Sequence, residues 1–524
     1  MAYRFPGALP AGALAAALAL TAAAASAQQC PSTTPLFADE FNGTAVDTTK
    51  WEIQTGDGCS YGICGWGNNE LQSYQAANAT VANGLLTITA KKQRVGSKSY
   101  TSARLRTLNR PAGGQWTHGR FEARIKIPGG HGMWPAFWML PNTTVAWPAS
   151  GEIDIQEAIG QKSMFQLGTI HYGPSSANAQ QQGSQILKQP DTWANDFHVY
   201  AVEWTTNRIS WYVDDLLFAT KTPSDLANPA DWTFENYQYY MILNLAVGGN
   251  LGGTVDDTAL PQTMQVDYVR AYAVPQPSIS GKHIVEPNSA ATYTVVDDSA
   301  GGSTYSWTSP TGQTSTGSAL TVNWGTASGP VSVTVKNSCG SFTKTVNVAV
   351  SPVLTKSLVL DDFEGTRNQA YTTVTGTFNQ SAANPAPNTV NASTTVGKYV
   401  RSSAQQYDLI TATTTAIPDA APFVRGDKAF YLDVYTAAPV GTPILIQLEN
   451  NKVATASNYP SGRHSKYLAT TTVQNGWQRL KFLVNDRIDG ETADNAVNQI
   501  VLMLNPNSST GDTYYLDNEA IYAK

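Results

Sequence analysis

Apolar and polar residues alternate with a period of two along almost the whole chain after residue 36. The pattern is clear in GLLTITAKK, GRFEARIKI, VSVTVKNS and WQRLKFLVND, and Gly, Pro, Asn and Asp separate such segments. Successive side chains of a β-strand point to opposite faces, so this period predicts strands with one buried face. No long segment has the helical period. We therefore predict an all-β fold of sandwiches or barrels.

Two Pro-containing segments, VPQPSISG at 274–281 and VSPVLTKS at 350–357, divide the chain of 524 residues. A chain of this length is typical of about three domains. We predict a catalytic domain at 28–274, an immunoglobulin-like sandwich at 277–351 and a jelly roll at 353–524. Ten of the 13 Trp precede the first Pro-containing segment. Because indole rings stack on the apolar faces of sugars, we expect a carbohydrate cleft in the first domain.

The N-terminal segment predicts export. Residues 1–27 combine Arg4, an Ala/Leu-rich stretch and the cleavage pattern Ala-Ser-Ala, as signal peptides do. A membrane anchor is the alternative, but Pro10 and many small residues interrupt the apolar stretch. The net charge of −6 and the lack of a basic run argue against a nucleic-acid partner. We expect a secreted, extracellular monomer that has no membrane contact after cleavage of the signal peptide.

The four cysteines stand at positions 30, 59, 64 and 339. Export permits disulfides, and Cys59 and Cys64 are close enough in sequence to close a small loop. The Cys and His spacings do not suit zinc. GCSYG at 58–62 matches the G-x-S-x-G pattern of serine hydrolases. That motif requires a strand–turn–helix setting, which this Gly- and Cys-rich loop does not offer.

Three carboxylates stand close together in GEIDIQEAIG, residues 151–160, although only 14% of the chain is charged. On a strand, Glu152 and Asp154 share one face, and a β-bulge near Gln156 brings Glu157 to the same face. Leaning side chains then place the two glutamates about 5–6 Å apart, as in retaining glycosidases. One glutamate would attack the anomeric carbon and the other would serve as acid and base, while Asp154 favours protonation of a neighbour. A calcium site and a solvated strand face are the alternatives.

The segment GEIDIQE resembles the E-x-D-x-x-E signature of glycoside hydrolase family 16 in its bulged, laminarinase-like form. Other segments of the family are also present, before and after this one, and they occur in the expected order over residues 35–274. They are GWGNNELQSY, TSARLRT, GRFEARIKIPGGHGMWPAFWML, GTIHYG, ILNLAVGGNLGG and VDYVRAY. The resemblance implies a curved jelly roll with an open groove, and a retaining endo-β-1,3-glucanase whose partner is a β-glucan polysaccharide. A mixed-linkage glucanase, a sulfated-galactan hydrolase and a non-catalytic β-glucan-binding protein are the alternatives.

The resemblance also implies a role for each matching residue. Glu152 would be the nucleophile, Asp154 its electrostatic helper and Glu157 the acid/base. Six residues would contact the substrate: Asn68, Glu70, Arg104, Trp134, Trp138 and His171. Core packing is the alternative for Trp138, and a surface ion pair is the alternative for Arg104. The alternative for His171 is a buried histidine with its hydrogen bonds made inside the protein.

A structural calcium ion, but no catalytic cofactor, is implied for the first domain. Its ligands would be backbone oxygens near the first strand and an Asp on the last strand, and the matching positions are Glu40, Gly84 and Asp267. Calcium accepts such a mixture of carbonyl and carboxylate oxygens. The third domain repeats the arrangement in outline and predicts a second ion, for which ordinary turn acids are the alternative. The residues concerned are Asp362, Glu364 and Asp517.

The two later domains resemble known modules. The middle domain looks like a PKD-type domain, but its first strand region, HIVEPNSA, lacks the second cysteine that such domains often carry. We therefore expect Cys339 to be unpaired. The segments KSLVLDDFEG and TYYLDNEAIYA resemble the first and last strands of carbohydrate-binding jelly rolls. Such a module would hold the enzyme on a glucan, and a purely structural domain is the alternative.

Overall fold

The computed structural model describes residues 34–273, 275–297 and 302–524. The predicted signal peptide and Cys30 lie outside the described residues. Regular structure in the described ranges is mostly β-strand, with the short α-helices α1 (Gly249–Gly252) and α2 (Ala421–Arg425). The predicted all-β fold is therefore confirmed. Within those ranges, no helix combines the length and the apolar character that a membrane crossing requires.

The first domain is a sandwich of two sheets. Its strands are β1 (Phe37–Asp39), β2 (Glu52–Gln54), β3 (Gln72–Tyr74), β4 (Ala79–Ala82), β5 (Leu85–Val95), β6 (Lys98–Ser102), β7 (Arg104–Arg106), β8 (Gly119–Lys126), β9 (Met133–Pro141), β10 (Glu152–Glu157), β11 (Phe165–Tyr172), β12 (Gln180–Leu187), β13 (His198–Thr205), β14 (Arg208–Val213), β15 (Leu216–Lys221), β16 (Tyr239–Val247) and β17 (Gln262–Tyr272). One sheet has the order β12-β11-β10-β9-β16-β7-β2, and we call it the cleft sheet. The other runs β15-β14-β13-β8-β17-β5-β6-β3, with β1 on β17 and β4 on β5.

Side chains of β9 alternate between the core and the opposite face of the cleft sheet. Phe137 and Met139 are fully buried in the core between the sheets. Trp134 and Trp138 occupy the alternate positions, so their rings lie on the opposite face of the cleft sheet. We call that face the cleft face.

The middle domain is joined to the first domain through a shared sheet and a shared core. Its strands are β18 (Ser278–Ser280), β19 (Ile284–Val285), β20 (Ala290–Val296), β21 (Thr304–Thr308), β22 (Thr314–Ser315), β23 (Ala319–Asn323), β24 (Gly329–Asn337) and β25 (Gly340–Val350). β18 pairs in parallel with β15, placing Ile279 opposite Leu216. One cluster of buried apolar residues spans both domains. The first two domains therefore do not have separate hydrophobic cores.

The third domain is a second two-sheet sandwich with a core of its own. Its strands are β26 (Thr355–Asp361), β27 (Ala370–Val374), β28 (Thr377–Ala383), β29 (Thr395–Val400), β30 (Leu409–Thr413), β31 (Lys428–Thr436), β32 (Pro443–Glu449), β33 (Arg463–Thr470), β34 (Gly476–Lys481), β35 (Leu483–Asp486), β36 (Gln499–Leu504) and β37 (Thr513–Ala523). One sheet has the order β28-β29-β37-β31-β34, with β26 on β37, and the other has the order β27-β30-β36-β32-β33-β35.

All three cysteines in the described residues are disulfide-bonded. Cys59 and Cys64 are joined, which closes the small loop that precedes Trp66. Cys339 is also disulfide-bonded, so the prediction that it stays unpaired is wrong. That prediction considered only a partner cysteine within the middle domain, whereas a disulfide can join cysteines that are far apart in sequence.

Candidate active site

The β-bulge predicted near Gln156 is present in β10. Asp154 lies opposite Trp138 of β9, whereas Gln156 already lies opposite Phe137, so the strand carries one extra residue between them. The register against β11 shifts in the same place. Because a bulge changes the parity of the residues that follow it, Glu157 returns to the cleft face with Glu152 and Asp154.

Each of the three acids has its own partner on the cleft sheet or the loop beside it. The indole Nε1 of Trp147 donates to Glu152 Oε2 at 2.6 Å. The indole Nε1 of Trp134 donates to Glu157 Oε1 at 2.9 Å. His171 Nε2 lies 3.0 Å from Asp154 Oδ2. These contacts fix the three carboxyl groups in one row.

The surroundings of Asp154, Glu157 and His171 shift their pKa values. Burial raises the pKa of Glu157 to about 7, although the Trp134 hydrogen bond and the charge of His171 act in the opposite direction. Burial and the two glutamates raise the pKa of Asp154. Burial lowers the pKa of His171, but contact with Asp154 and the neighbouring carboxylates outweigh it and raise the value to about 10. The Asp154–His171 pair therefore keeps a proton at neutral pH, and Glu157 can hold one as well.

Arg104 and Trp138 form part of the cleft face on one side of β10. The guanidinium of Arg104 lies 4.8 Å from the ring centre of Trp66 and 4.7 Å from that of Trp138. Its Nε donates to Gln54 Oε1 at 2.7 Å, and the residue is 5% exposed. The alternative of a surface ion pair for Arg104 is therefore wrong. The arginine instead fixes two aromatic rings by cation–π contacts.

Trp138 keeps its ring partly exposed on the cleft face, while its Nε1 donates to Asn244 Oδ1 at 2.7 Å. The hydrogen bond fixes the plane of the indole in the floor of the cleft. Sugar rings stack on indoles held in this way.

Glu70 lies deeper than the sequence analysis expected. It is 3% exposed and accepts hydrogen bonds from Gln72 Nε2 at 2.5 Å and Tyr74 Oη at 3.0 Å. Burial raises the pKa of its carboxyl, against the lowering effects of Arg104 and Asn68. Glu70 thus organises this part of the site, and direct contact of Glu70 or Asn68 with a sugar stays a prediction.

Trp147 was missed in the sequence analysis. It is 42% exposed, contacts Glu152 and lies with its ring centre 5.9 Å from that of His171. An exposed indole over two reactive groups can bind a sugar and hold a carboxylate at once. The signal in the sequence was a tryptophan five residues before Glu152, but an irregular loop gives no periodicity from which to predict its direction.

Strand pairing brings together the three positions of the predicted calcium site. Asp39 lies opposite Val269 and Leu86 opposite Val266, so Glu40 and Gly84 both approach Asp267. The Glu40 carboxylate is occupied by two hydrogen bonds from Arg270, and Asp267 Oδ2 accepts from Arg124 Nη1 at 2.7 Å. The backbone carbonyls and Asp267 Oδ1 are the atoms left for an ion, and the calcium site stays a prediction.

In the third domain, the acids predicted for a second ion have protein partners. Asp362 Oδ1 accepts from three backbone N–H groups of its own turn, and Glu364 Oε1 accepts from the N–H of Thr394. Asp517 Oδ2 accepts from Asn391 Nδ2 at 2.6 Å. This pattern favours the alternative of turn acids for Asp362 and Glu364.

Two family models match the chain. The first, described as the GH16 domain of beta-porphyranases A–D, matches residues 32–274. The second, described as a PKD-like domain, matches residues 273–350.

Similar proteins and solved structures cover the first part of the chain. A beta-glucanase of Rhodothermus marinus is 40% identical over 250 residues, which are 45% of this chain and 84% of that protein. A glucan endo-1,3-beta-glucosidase of Cryptopygus antarcticus is 35% identical over 255 residues, which are 45% of this chain and 90% of that protein. The solved laminarinase catalytic domain of Thermotoga maritima is 36% identical, with 46% of this chain and 99% of that one covered and a TM-score of 0.43. The chain belongs to glycoside hydrolase family 16 and is a glycoside hydrolase.

Proposed function

We propose that this glycoside hydrolase is a retaining endo-β-1,3-glucanase. The observation that carries the proposal is the row of Glu152, Asp154 and Glu157 on the cleft face, where the bulge in β10 brings both glutamates beside the same bond. A retaining enzyme needs one carboxylate to attack and one carboxylic acid to protonate the leaving oxygen. The pKa of about 7 for Glu157 suits the acid.

In the first step, Glu152 attacks the anomeric carbon and forms a covalent glycosyl ester while the bond to the glycosidic oxygen breaks. Glu157 gives its proton to that oxygen, so the departing sugar leaves as a neutral alcohol. In the second step, Glu157 takes a proton from water, and the water oxygen attacks the same carbon. The ester bond breaks, and Glu152 leaves as a carboxylate.

The partners of the acids assist both steps. Trp147 holds Glu152 Oε2, which leaves the other carboxylate oxygen to attack. The protonated Asp154–His171 pair places little net charge beside the glutamates, and therefore limits repulsion when Glu157 becomes anionic.

The names of the two relatives support a β-glucan substrate, and the aromatic cleft face with Trp138 and Trp147 suits a neutral sugar chain. The family-model description favours a second candidate, the sulfated galactan porphyran. The cleft face argues against it, because Glu152, Asp154 and Glu157 are acidic and the guanidinium of Arg104 is already held between two rings. A sulfate group would meet repulsion from these acids.

The test is digestion of laminarin, lichenan, porphyran and agarose by the full chain, followed by proton NMR from the first minutes. We expect cleavage inside laminarin chains and initial release of the β-anomer, because two displacements restore the configuration. Glu152→Gln is the control and should lose at least about a thousandfold in kcat. Initial α-anomer, near-normal turnover of Glu152→Gln, or activity on porphyran alone would contradict the proposal.

A further inference from the structure

The third domain is docked against the first by side chains that reach its backbone. Gln185 Nε2 donates to Asn485 O at 2.8 Å, and Lys162 Nζ donates to Ile488 O at 2.6 Å. A third contact joins Gln189 Nε2 to Val424 O at 2.7 Å. These bonds lie along β12 and the segments next to it, which form one edge of the cleft sheet. The domain therefore has a fixed place beside the cleft.

That place is close to the proposed acid/base. Gln185 lies opposite Leu167 of β11, and Leu167 lies opposite Glu157 of β10. Neighbouring strands are about 4.8 Å apart, so β12 runs about 10 Å from the catalytic strand. It lies on the side of β10 away from Trp138 and Arg104. A sugar chain that crosses the cleft sheet from Trp138 past Glu157 leads toward the third domain.

Asp486 connects the two surfaces. On one side it lines a cavity of about 90 Å³ together with Leu167 and Gln185 of the first domain. On the other side it lies 3.9 Å from Lys466 Nζ, on the neighbouring strand β33 of its own sheet. Asp486 is the last residue of β35, the edge strand of the sheet β27-β30-β36-β32-β33-β35, which we call the docked sheet.

The outer face of the docked sheet carries polar side chains suited to sugar hydroxyls. Ile444, Ile446 and Leu448 of β32 are fully buried in the core, so Gln447 and Glu449 lie on the outer face. Gln447 Nε2 donates to Glu449 Oε1 at 2.5 Å. Gln499 Nε2 of β36 donates to the other oxygen, Oε2, at 3.0 Å. Glu449 itself is only 8% exposed, so its carboxylate holds the two amide side chains in fixed positions on this face.

Two tyrosines stand at the ends of this face. Tyr407, just before β30, is 57% exposed, and Tyr459, in the loop before β33, is 63% exposed. The Arg463 guanidinium lies 5.8 Å from the ring centre of Tyr459. Partial burial and the charges of Asp486 and Tyr407 raise the pKa of the Tyr459 hydroxyl, against the lowering effect of Arg463. Exposed rings beside fixed polar groups are typical of carbohydrate-binding surfaces.

We propose that the outer face of the docked sheet, with Tyr407 and Tyr459 as stacking rings, binds the glucan chain where it leaves the catalytic cleft on the Glu157 side. The proposal rests on the proposed function, since both surfaces take the same neutral polysaccharide. It makes the third domain an extension of the cleft, with Asp486 at the junction.

The other sheet of the third domain offers a rival surface and therefore a control. Tyr515 is half-buried there, and its ring centre lies 5.8 Å from that of Tyr435. The tyrosines of this sheet pack against each other, as Tyr431 and Tyr522 also do. Tyr515→Ala removes a tyrosine ring from the other sheet of the same domain.

The test uses full-length variants and the ratio of kcat/KM on laminarin to kcat/KM on laminaritetraose. In the double variant Tyr407→Ala/Tyr459→Ala, this ratio should fall about tenfold, since two stacking contacts with the long chain are lost. A second variant, Lys162→Ala/Gln185→Ala, loosens the docking while leaving the tyrosines in place, and should lower the same ratio. Tyr515→Ala should not lower it. Matching unfolding temperatures establish that the variants fold.

An unchanged ratio in the tyrosine double variant, or an equal fall in Tyr515→Ala, would overturn the proposed surface. An unchanged ratio in Lys162→Ala/Gln185→Ala would overturn its continuity with the cleft. These results differ from a failure of the proposed function, in which the unaltered chain would hydrolyse no β-1,3-glucan at all.

Discussion

At the scale of single residues, the site depends on giving three adjacent carboxyl groups different neighbours. Glu157 meets an indole and a buried setting, Asp154 meets an imidazole, and Glu152 meets the more exposed indole of Trp147. Equal surroundings would make the two glutamates compete for the same proton. The different surroundings allow one glutamate to act as an acid while the other attacks.

The hydrogen bond from Trp134 to Glu157 leads to a prediction about pH. Activity should fall as the pH rises through about 7, because Glu157 loses the proton that the leaving group needs. The indole stabilises the ionised carboxylate, so Trp134→Phe should raise the pKa of Glu157 and move this fall upward by about one pH unit. The pH dependence of kcat/KM on laminarin measures the shift. Trp138→Phe, whose indole bonds Asn244, is the control, and an equal shift in both variants would contradict the assignment.

At the scale of strands, β10 shows what could be predicted from the sequence. The faces of Glu152, Asp154 and Glu157 follow from local parity and one bulge, so neighbouring residues contained the needed information. Trp147 lies on an irregular loop, and its contact with Glu152 depends on a chain path that no period encodes. The hydrogen bond from Gln185 to Asn485 joins residues that are 300 positions apart. Nothing in the sequence around either residue predicts this contact. Local geometry was therefore predictable, whereas long-range contacts were not.

The convergence of β1, β5 and β17 leads to a prediction about calcium. An ion held by the carbonyls of Glu40 and Gly84 and by Asp267 would link the first and last strands of the domain. When the site is nearly saturated with calcium, chelation should lower the unfolding temperature of the protein by roughly 5–10 °C. Scanning calorimetry with and without a chelator measures the change. Asp267→Asn should abolish this change, and an unchanged curve after complete calcium removal would contradict the calcium site.

At the scale of the whole molecule, the three domains are connected to different degrees. The first and middle domains share a sheet, a core and an ion pair of 2.9 Å between Lys344 Nζ and Asp215 Oδ1. The third domain has a separate core, and side chains such as Gln185 bind it to the first domain by hydrogen bonds. Removal of the third domain should therefore disturb the first less than removal of the middle one.

Two truncations test this ranking. Chains 28–351 and 28–274 should both hydrolyse laminaritetraose, since both contain Glu152 and Glu157. The shorter chain should unfold at a lower temperature, because it loses the buried side chain of Ile279, which contributes about 1.5–3 kcal/mol. Calorimetry and initial rates provide the comparison. Equal unfolding temperatures would mean that the shared core adds no stability.

The pairing of β15 with β18 has a further consequence for solubility. A strand at the end of a sheet exposes unpaired N–H and C=O groups, on which another polypeptide can align and start aggregation. Here the chain supplies its own next strand opposite Leu216 and Leu217. The middle domain thereby covers part of an edge on which other copies could align, and we expect it to limit self-association of the enzyme while the two glutamates remain open to substrate.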